Sequence, residues 1–89
     1  MSKVYRILVE PHAAGELDRL PKPVFMKIDA VISALAKNPR PFGVKKLDGP
    51  LHRIRVQSWR VLYSIFDEEA QIFILRVSLR NEKTYKFFS

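Results

Sequence analysis

Apolar positions recur along this chain with the periods of strands and helices. The apolar residues around Tyr5 predict an opening strand over about 3–9. A first helix is predicted over about 11–20, and Pro11 lies in its first turn, where a helix tolerates proline. A second helix begins near Pro23 and ends at Asn38-Pro39. Its apolar stripe follows the helical period and comprises Val24, Phe25, Ile28, Val31, Ile32 and Leu35.

The second half of the chain contains three apolar-rich segments joined by short turns. Residues 39–50 form a loop rich in proline and glycine, and strands follow over about 51–57, 59–66 and 71–79. Because the connecting turns are short, consecutive strands pair antiparallel. The order β-α-α-β-β-β predicts an α+β fold, in which a helical hairpin packs on one face of a mostly antiparallel four-stranded sheet and a short C-terminal tail follows. Strict alternation places Ile72, Ile74, Arg76, Ser78 and Arg80 on one face of the last strand.

The composition predicts a single domain spanning residues 1–89. At 89 residues and 47% hydrophobic content, the chain can bury one modest core. It has no cysteine, and its two histidines, His12 and His52, are far apart, so we expect neither a metal site nor a cofactor. The N-terminus does not have the pattern of a secretory signal, and no apolar run is long enough to span a bilayer. We expect a cytoplasmic protein without a membrane partner.

Basic residues outnumber acidic ones and concentrate in one strand. Sixteen Lys+Arg against nine Asp+Glu give a formal charge of +7, which attracts nucleic acid or an acidic protein. Arg53 and Arg55 alternate with Ile54 and Val56, so the two arginines share one face of the strand and the two apolar residues share the other. Guanidinium groups in this arrangement suit a polyphosphate. An ordinary solvated strand face is the alternative interpretation.

Three further residues extend the candidate site. Arg60 follows Trp59 near the start of the next strand, although it could also be a snorkelling residue at a sheet edge. Arg80 and Tyr85 follow the last strand, and a phenol beside an arginine can stack on a base or move a proton near a phosphate. Tyr85 could instead pack the tail onto the core. For Trp59 and Tyr63, core packing is favoured over base stacking.

Three segments of the second half have the order and spacing of a known family pattern. They are Lys46-Leu47-Asp48-Gly49, LHRIRVQSWRVLYSI over 51–65 and ILRVSLRNEKTYKFF over 74–88. They resemble the RelE branch of the RelE/ParE toxin superfamily, whose pattern is K-L-x-G, then Y-R-I-R-V-G-x-Y-R-V-I-Y, then V-x-H-R-x-x-x-Y. The opening YRILVEPHAAGELDRLPKPV is also similar to the start of that family, so the resemblance covers about residues 4–88.

The resemblance implies a toxin of a toxin–antitoxin pair that enters the ribosomal A site and cuts mRNA there. It implies a metal-independent, ribosome-dependent endoribonuclease in which the 2′-hydroxyl of the message attacks the adjacent phosphate. The implied partners are the ribosome, mRNA and a cognate antitoxin with an acidic neutralising segment, and operator DNA is contacted only through the antitoxin. The family's catalytic set falls on Arg53, Arg55, Arg60, Arg80 and Tyr85. RNA binding is expected at Lys45, Lys46, Arg76 and Lys83.

Departures from the family pattern concern proton transfer. Leu79 stands where many members have histidine, and the spacing from Arg80 to Tyr85 is one residue longer than in many relatives. Tyr85 is the best available proton-transfer group, because arginine does not release its proton; Lys45 or Lys46 is the next candidate. Two alternatives stay open: a ParE-like inhibitor of DNA gyrase with the same fold, which is not an enzyme, and a basic RNA-binding domain without toxicity.

Overall fold

Two helices and five strands follow one another in the order β-α-α-β-β-β-β. The structure is a computed structural model that describes residues 3–79. Its elements are β1 (Arg6–Val9), α1 (Pro11–Asp18), α2 (Lys22–Ala34), β2 (Lys45–Asp48), β3 (Leu51–Val56), β4 (Trp59–Phe66) and β5 (Gln71–Leu79). The strands form one sheet in the order β1-β5-β4-β3-β2. The predicted α+β fold is confirmed.

The helical hairpin packs on one face of the sheet, with the central strand β4 beneath it. Ile28, Ile32 and Leu35 recur three or four residues apart along α2 and its C-terminal cap, and all three are buried. With Ala13 of α1 they contact the inward-facing residues of the sheet, which are Ile54, Val61, Tyr63, Ile65, Ile72, Ile74 and Val77. Burying each large aliphatic side chain contributes about 1.5–3 kcal/mol, so this layer is the main source of stability.

The apolar stripe of the second helix predicts that Phe25 is buried against the sheet, and this prediction is wrong. Its side chain is 37% exposed, whereas Val24 is half-buried and packs against the core. Successive residues of a helix are rotated by about 100°. Val24 lies one turn before Ile28 on the inward side, and Phe25 is therefore turned towards the edge of that side. The apolar stripe read from the sequence is wider than the face that the sheet covers.

The sheet has one strand more than predicted and contains one parallel pair. Lys45–Asp48, within the segment predicted as a loop, forms β2 and pairs antiparallel with β3. This four-residue edge strand carries three charged side chains, so it lacks the apolar alternation that marks a strand. At the other edge β1 pairs parallel with β5. The sheet is thus mixed, with its antiparallel part running from β5 to β2.

A bulge in β5 overturns the strict alternation predicted for that strand. Leu62 is opposite Arg76 while the next residue, Tyr63, is opposite Ile74, so Leu75 has no partner on β4. The extra residue reverses which side chains point to the core. Ile74 and Val77 are both buried under the helices although they differ in parity. Without the bulge, the side chain of Arg76 would lie on the same side of β5 as that of Ile74, facing the core.

Candidate functional site

Four arginines come together on the sheet face opposite the helices. Arg53 of β3 is opposite Leu62 of β4, which is opposite Arg76 of β5. Two residues further along β3, Arg55 is opposite Arg60. Directly opposite residues point to the same side of a sheet with Cβ atoms about 5 Å apart. We call Arg53, Arg55, Arg60 and Arg76 the arginine cluster.

One member of the cluster is unfavourable for the fold itself. Arg60 is 2% exposed, and Arg55, directly opposite it, is exposed. The Nε of Arg53 is buried and finds no hydrogen-bond acceptor within residues 3–79. A buried N–H without an acceptor costs about 1–3 kcal/mol. This unsatisfied donor suits a site that binds anionic oxygen atoms.

Glu16 of α1 holds Arg76 in place. The Nη2 atom of Arg76 lies 3.3 Å from Oε2 of Glu16, and the backbone N–H of Val77 donates to Oε1 at 2.6 Å. Because β1 pairs with β5 only as far as Ile74, Glu16 supplies the acceptor that a neighbouring strand would give. The pair partly offsets the charge of Arg76, whose RNA contact stays a prediction. Sequence reasoning missed Glu16, since 60 residues separate it from Arg76.

Lys45 and Lys46, both predicted to bind RNA, lie on opposite sides of β2. Lys45 is opposite Arg53 and extends the arginine cluster towards the sheet edge. Lys46 is opposite His52, which is buried on the helix side. The structure therefore brings Lys45, but not Lys46, next to the arginines.

The rings near the cluster face the core. His52 stacks on Tyr63 with ring centroids 5.8 Å apart, and its Nδ1 lies 2.7 Å from the carbonyl oxygen of Pro50. Since that oxygen only accepts, Nδ1 carries the proton. Tyr63 is fully buried, and burial raises its pKa to about 12. Trp59 packs against the same core, so the predicted core role of both aromatic residues is confirmed.

A second polar cluster joins three segments that are distant in sequence. Arg40 donates through both terminal nitrogens to Asp67, at 3.2 and 2.9 Å, and the Tyr5 hydroxyl donates to the same carboxylate. The Arg40 guanidinium, followed by the Tyr5 hydroxyl, lowers the pKa of Asp67 to about 2. The hydrogen bond to Asp67 raises the pKa of Tyr5. This cluster fixes the loop after α2 to the β4–β5 turn, and no local sequence signal indicates it.

The sheet face that the helices do not cover, which we call the open face, continues from the arginine cluster into an apolar half. A cavity of about 290 Å³ lies there, lined by Glu10, Ser64, Phe66, Phe73 and Leu75. Phe66 meets Phe73 edge to face at 5.7 Å between ring centroids. A partner covering the whole face would need both acidic and apolar groups.

Three predicted site residues, Arg80, Lys83 and Tyr85, lie outside the described residues. Arg80 follows directly on Leu79, the last residue of β5. Their roles stay predictions.

Within residues 3–79 we find no group of three or more histidine, aspartate or glutamate side chains that could hold a metal ion. Neither helix of this part has the length and hydropathy that a membrane span requires.

The chain is similar in sequence and structure to known toxins. The sequence model of the ParE toxin of the type II toxin–antitoxin system parDE matches residues 7–84. The archaeal RelE–RelB complex from Pyrococcus horikoshii is 29% identical with a TM-score of 0.82, over 89% of this chain and 98% of that one. The RelBE2 toxin–antitoxin complex from Mycobacterium tuberculosis is 26% identical with a TM-score of 0.75, over 86% and 99% of the two chains.

A mutant of the toxin RelE from Escherichia coli in the free state shares the fold, with 20% identity and a TM-score of 0.78 over 96% of this chain and 94% of that one. No curated protein sequence gives a significant match.

Proposed function

Since the chain belongs to the ParE toxin family of type II toxin–antitoxin systems, within the RelE/ParE superfamily, we propose that it is a ribosome-dependent mRNA endoribonuclease of the RelE type. It acts in the cytoplasm, where it enters the ribosomal A site, cleaves the message and thereby stops translation. A cognate antitoxin restrains it.

The observation that carries this proposal is the arginine cluster. Three neighbouring strands bring their arginines to the sheet face opposite the helices, where Arg55 opposes Arg60 and the Nε of Arg53 is buried without an acceptor in the described part of the chain. The planar guanidinium group of arginine donates two parallel hydrogen bonds to phosphate oxygens, and it keeps its charge at every physiological pH. A site for an RNA phosphate explains why the fold tolerates this arrangement.

In the proposed reaction the 2′-oxygen of the message forms a bond to the adjacent phosphorus as the bond from phosphorus to the 5′-oxygen breaks. The products are a cyclic phosphate and a free 5′-hydroxyl. Arg53, Arg55 and Arg60 hold the phosphoryl oxygens and stabilise the charge that develops on them, and Arg80 adds to that field. Tyr85 moves a proton between the attacking and leaving oxygens. The ribosome orients the message for in-line attack, so free RNA is cleaved weakly or not at all.

The antitoxin fits the two halves of the open face. Its acidic neutralising segment pairs with the arginine cluster, and apolar anchors cover the half around Phe66 and Phe73. The toxin reaches operator DNA only through this antitoxin.

The second candidate is a non-enzymatic inhibitor of DNA gyrase. The match to the family of ParE toxins favours it. An inhibitor that binds through apolar contacts has no need of four arginines on one face of the sheet, and we therefore favour the nuclease.

Expression of the chain in a bacterial host distinguishes the two candidates. A nuclease arrests translation and leaves cuts within message at positions occupied by the ribosomal A site, mapped by primer extension. A gyrase inhibitor produces double-strand breaks and a DNA-damage response. The variant Arg53→Ala with Arg55→Ala should abolish the cuts. DNA breaks without message cleavage would refute the nuclease.

A further inference from the structure

The loop between α2 and β2 presents one aromatic ring to solvent. Phe42 is fully exposed and is the most exposed of the large hydrophobic residues described within 3–79. Burial of a phenylalanine side chain stabilises a fold by about 1.5–3 kcal/mol, and this fold does not gain that stabilisation from Phe42. The ring therefore has no packing role within the described part of the chain.

The backbone on both sides of this ring is fixed by contacts with the rest of the fold. Arg40 is fixed by its two bonds to Asp67, and the buried Tyr63 donates to the carbonyl oxygen of Pro39 at 2.8 Å. The turn is closed by a hydrogen bond from the backbone N–H of Val44 to the carbonyl oxygen of Pro41 at 3.1 Å. A loop whose backbone is already ordered loses less conformational entropy when a partner arrives.

The charges around the ring select an anionic partner. The segment 37–47 contains Lys37, Arg40, Lys45 and Lys46 and no acidic residue. The ion pair with Asp67 offsets the charge of Arg40. Lys45, three residues after Phe42, is opposite Arg53 in the sheet. The loop that carries the exposed ring thus leads through Lys45 to the arginine cluster.

We propose that Phe42 stacks on a base of the RNA strand whose phosphate lies in the arginine cluster, with Lys45 holding an intervening phosphate. An aromatic ring beside a row of cations is the usual arrangement for single-stranded nucleic acid, because every base offers a flat face for stacking. This inference rests on the proposed function, since the stacked base belongs to the RNA that the arginines hold.

The test compares four variants at one position: Phe42→Ala, Phe42→Leu, Phe42→Tyr and Phe42→Trp. The measured quantity is the dissociation constant of the full-length toxin for ribosomes carrying a message with a 2′-deoxy nucleotide at the cleavage position. Loss of a base stack should weaken binding about 5- to 100-fold in Phe42→Ala and Phe42→Leu. Phe42→Tyr and Phe42→Trp should bind like the parent. Cleavage at saturating toxin should stay within about twofold of the parent in all four, because the chemistry lies at the arginines.

Met26→Ala is the matched control, since Met26 is 60% exposed on α2 and lies outside this surface. It should bind like the parent. Equal thermal stability of all variants excludes misfolding.

Several results would overturn the inference. If Phe42→Ala binds ribosomes like the parent, Phe42 does not stack on a base. If Phe42→Leu binds like the parent while Phe42→Ala does not, the ring enters an apolar pocket of a protein. Weaker binding to the antitoxin with unchanged binding to ribosomes assigns Phe42 to the antitoxin. A parent toxin that neither binds nor cleaves on ribosomes refutes the proposed function first, and the RNA stack with it.

Discussion

Arg53 illustrates, at the scale of a single side chain, how the open face differs from the packed one. Its neighbour Ile54 is buried under the helices, whereas the guanidinium of Arg53 has a buried Nε without an acceptor within residues 3–79. Packing explains Ile54, whereas a bound anion would supply the acceptor that the Nε of Arg53 lacks within residues 3–79. Removing the group should therefore affect stability and cleavage in opposite directions.

The variant Arg53→Met tests this opposition, because methionine is unbranched and has no N–H group. We expect the free energy of unfolding to be unchanged or raised by up to about 1–3 kcal/mol. Single-turnover cleavage on programmed ribosomes should fall about 10²–10³-fold, the usual effect of removing one charge-stabilising donor. Urea denaturation measures the first quantity. Arg19→Met, at an exposed position after α1, is the control and should change neither. A variant that unfolds more easily but still cleaves would contradict the assignment.

The proton-transfer role of Tyr85 can be tested by removing a single oxygen atom. Tyr85→Phe removes the hydroxyl and keeps the ring, so ribosome binding should survive while single-turnover cleavage falls about 10²–10⁴-fold, the scale of acid–base assistance. Lys37→Ala, on the polar side of the segment after α2, should leave cleavage at saturating toxin unchanged. If Tyr85→Phe cleaves as fast as the parent, Tyr85 is a packing residue, and Lys45, which lies beside Arg53, becomes the next candidate.

The sequence predicts those site residues whose neighbours are local. Arg53 and Arg55 are two residues apart in a strand, which fixes their common face. The two-residue turn after Val56 fixes the register that brings Arg60 opposite Arg55. Arg76 reaches the same face only through the bulge at Leu75, which the sequence does not mark.

At the scale of elements, the free edge of β5 depends on a helix rather than on a strand. Oε1 of Glu16 receives the N–H of Val77 and Oε2 pairs with Arg76. One carboxylate thus secures the part of β5 that follows the bulge. An alternation pattern contains no information on such a contact, nor on the charged edge strand β2. The apolar stripe of α2 likewise does not show how much of the helix the sheet covers, so the exposure of Phe25 could not be predicted.

Glu16→Ala and Glu16→Gln separate the two contacts of this carboxylate. Alanine removes both, so the free energy of unfolding should fall by about 1–3 kcal/mol as the N–H of Val77 loses its acceptor. Glutamine keeps an amide oxygen at that place and should recover most of the loss. Amide hydrogen exchange at Val77 should be fast in Glu16→Ala and slow in Glu16→Gln and the parent. Glu69→Ala, in the exposed β4–β5 turn, is the control. Equal exchange rates in both Glu16 variants would show that the strand edge does not depend on this acceptor.

The bridge from Arg40 to Asp67 should appear in the pH dependence of stability. Asp67 has a pKa of about 2 in the folded chain, below the value of about 3.9 for a free aspartate. A lowered folded-state pKa means that the carboxylate stabilises the fold above pH about 4, and that this contribution is lost as the pH falls from about 4 to 2. Asp67→Asn should therefore lower the Tm at pH 7, and the difference from the parent should disappear near pH 2. Scanning calorimetry at pH 7, 4, 3 and 2 measures this.

Glu68→Gln in the same turn is the control, and its Tm difference from the parent should show no such convergence. If the Tm difference between Asp67→Asn and the parent persists at pH 2, the effect does not come from the charge of Asp67.

At the scale of the whole molecule, the basic residues are divided between a diffuse field and one surface. The formal charge of +7 draws the chain towards any polyanion. The arginine cluster and Lys45 concentrate part of that charge on the face that the helices leave open. Specific binding to a programmed ribosome should therefore depend on a few residues of that face, whereas the remaining lysines contribute mainly to the rate of encounter.

The salt dependence of ribosome binding separates these two groups of charges. Each contact with a phosphate of a single strand contributes about −0.7 to the slope of log K against log salt. Three or four contacts from the open face give a slope of about −2 to −3, so an increase from 50 to 200 mM salt should weaken binding roughly 20- to 50-fold. Arg55→Gln should reduce the slope by about 0.7 units, because one contact is lost. Lys27→Gln removes the same charge from the exposed side of α2 and should leave the slope unchanged. Equal slopes for the two variants would mean that the net charge, rather than the open face, binds the ribosome.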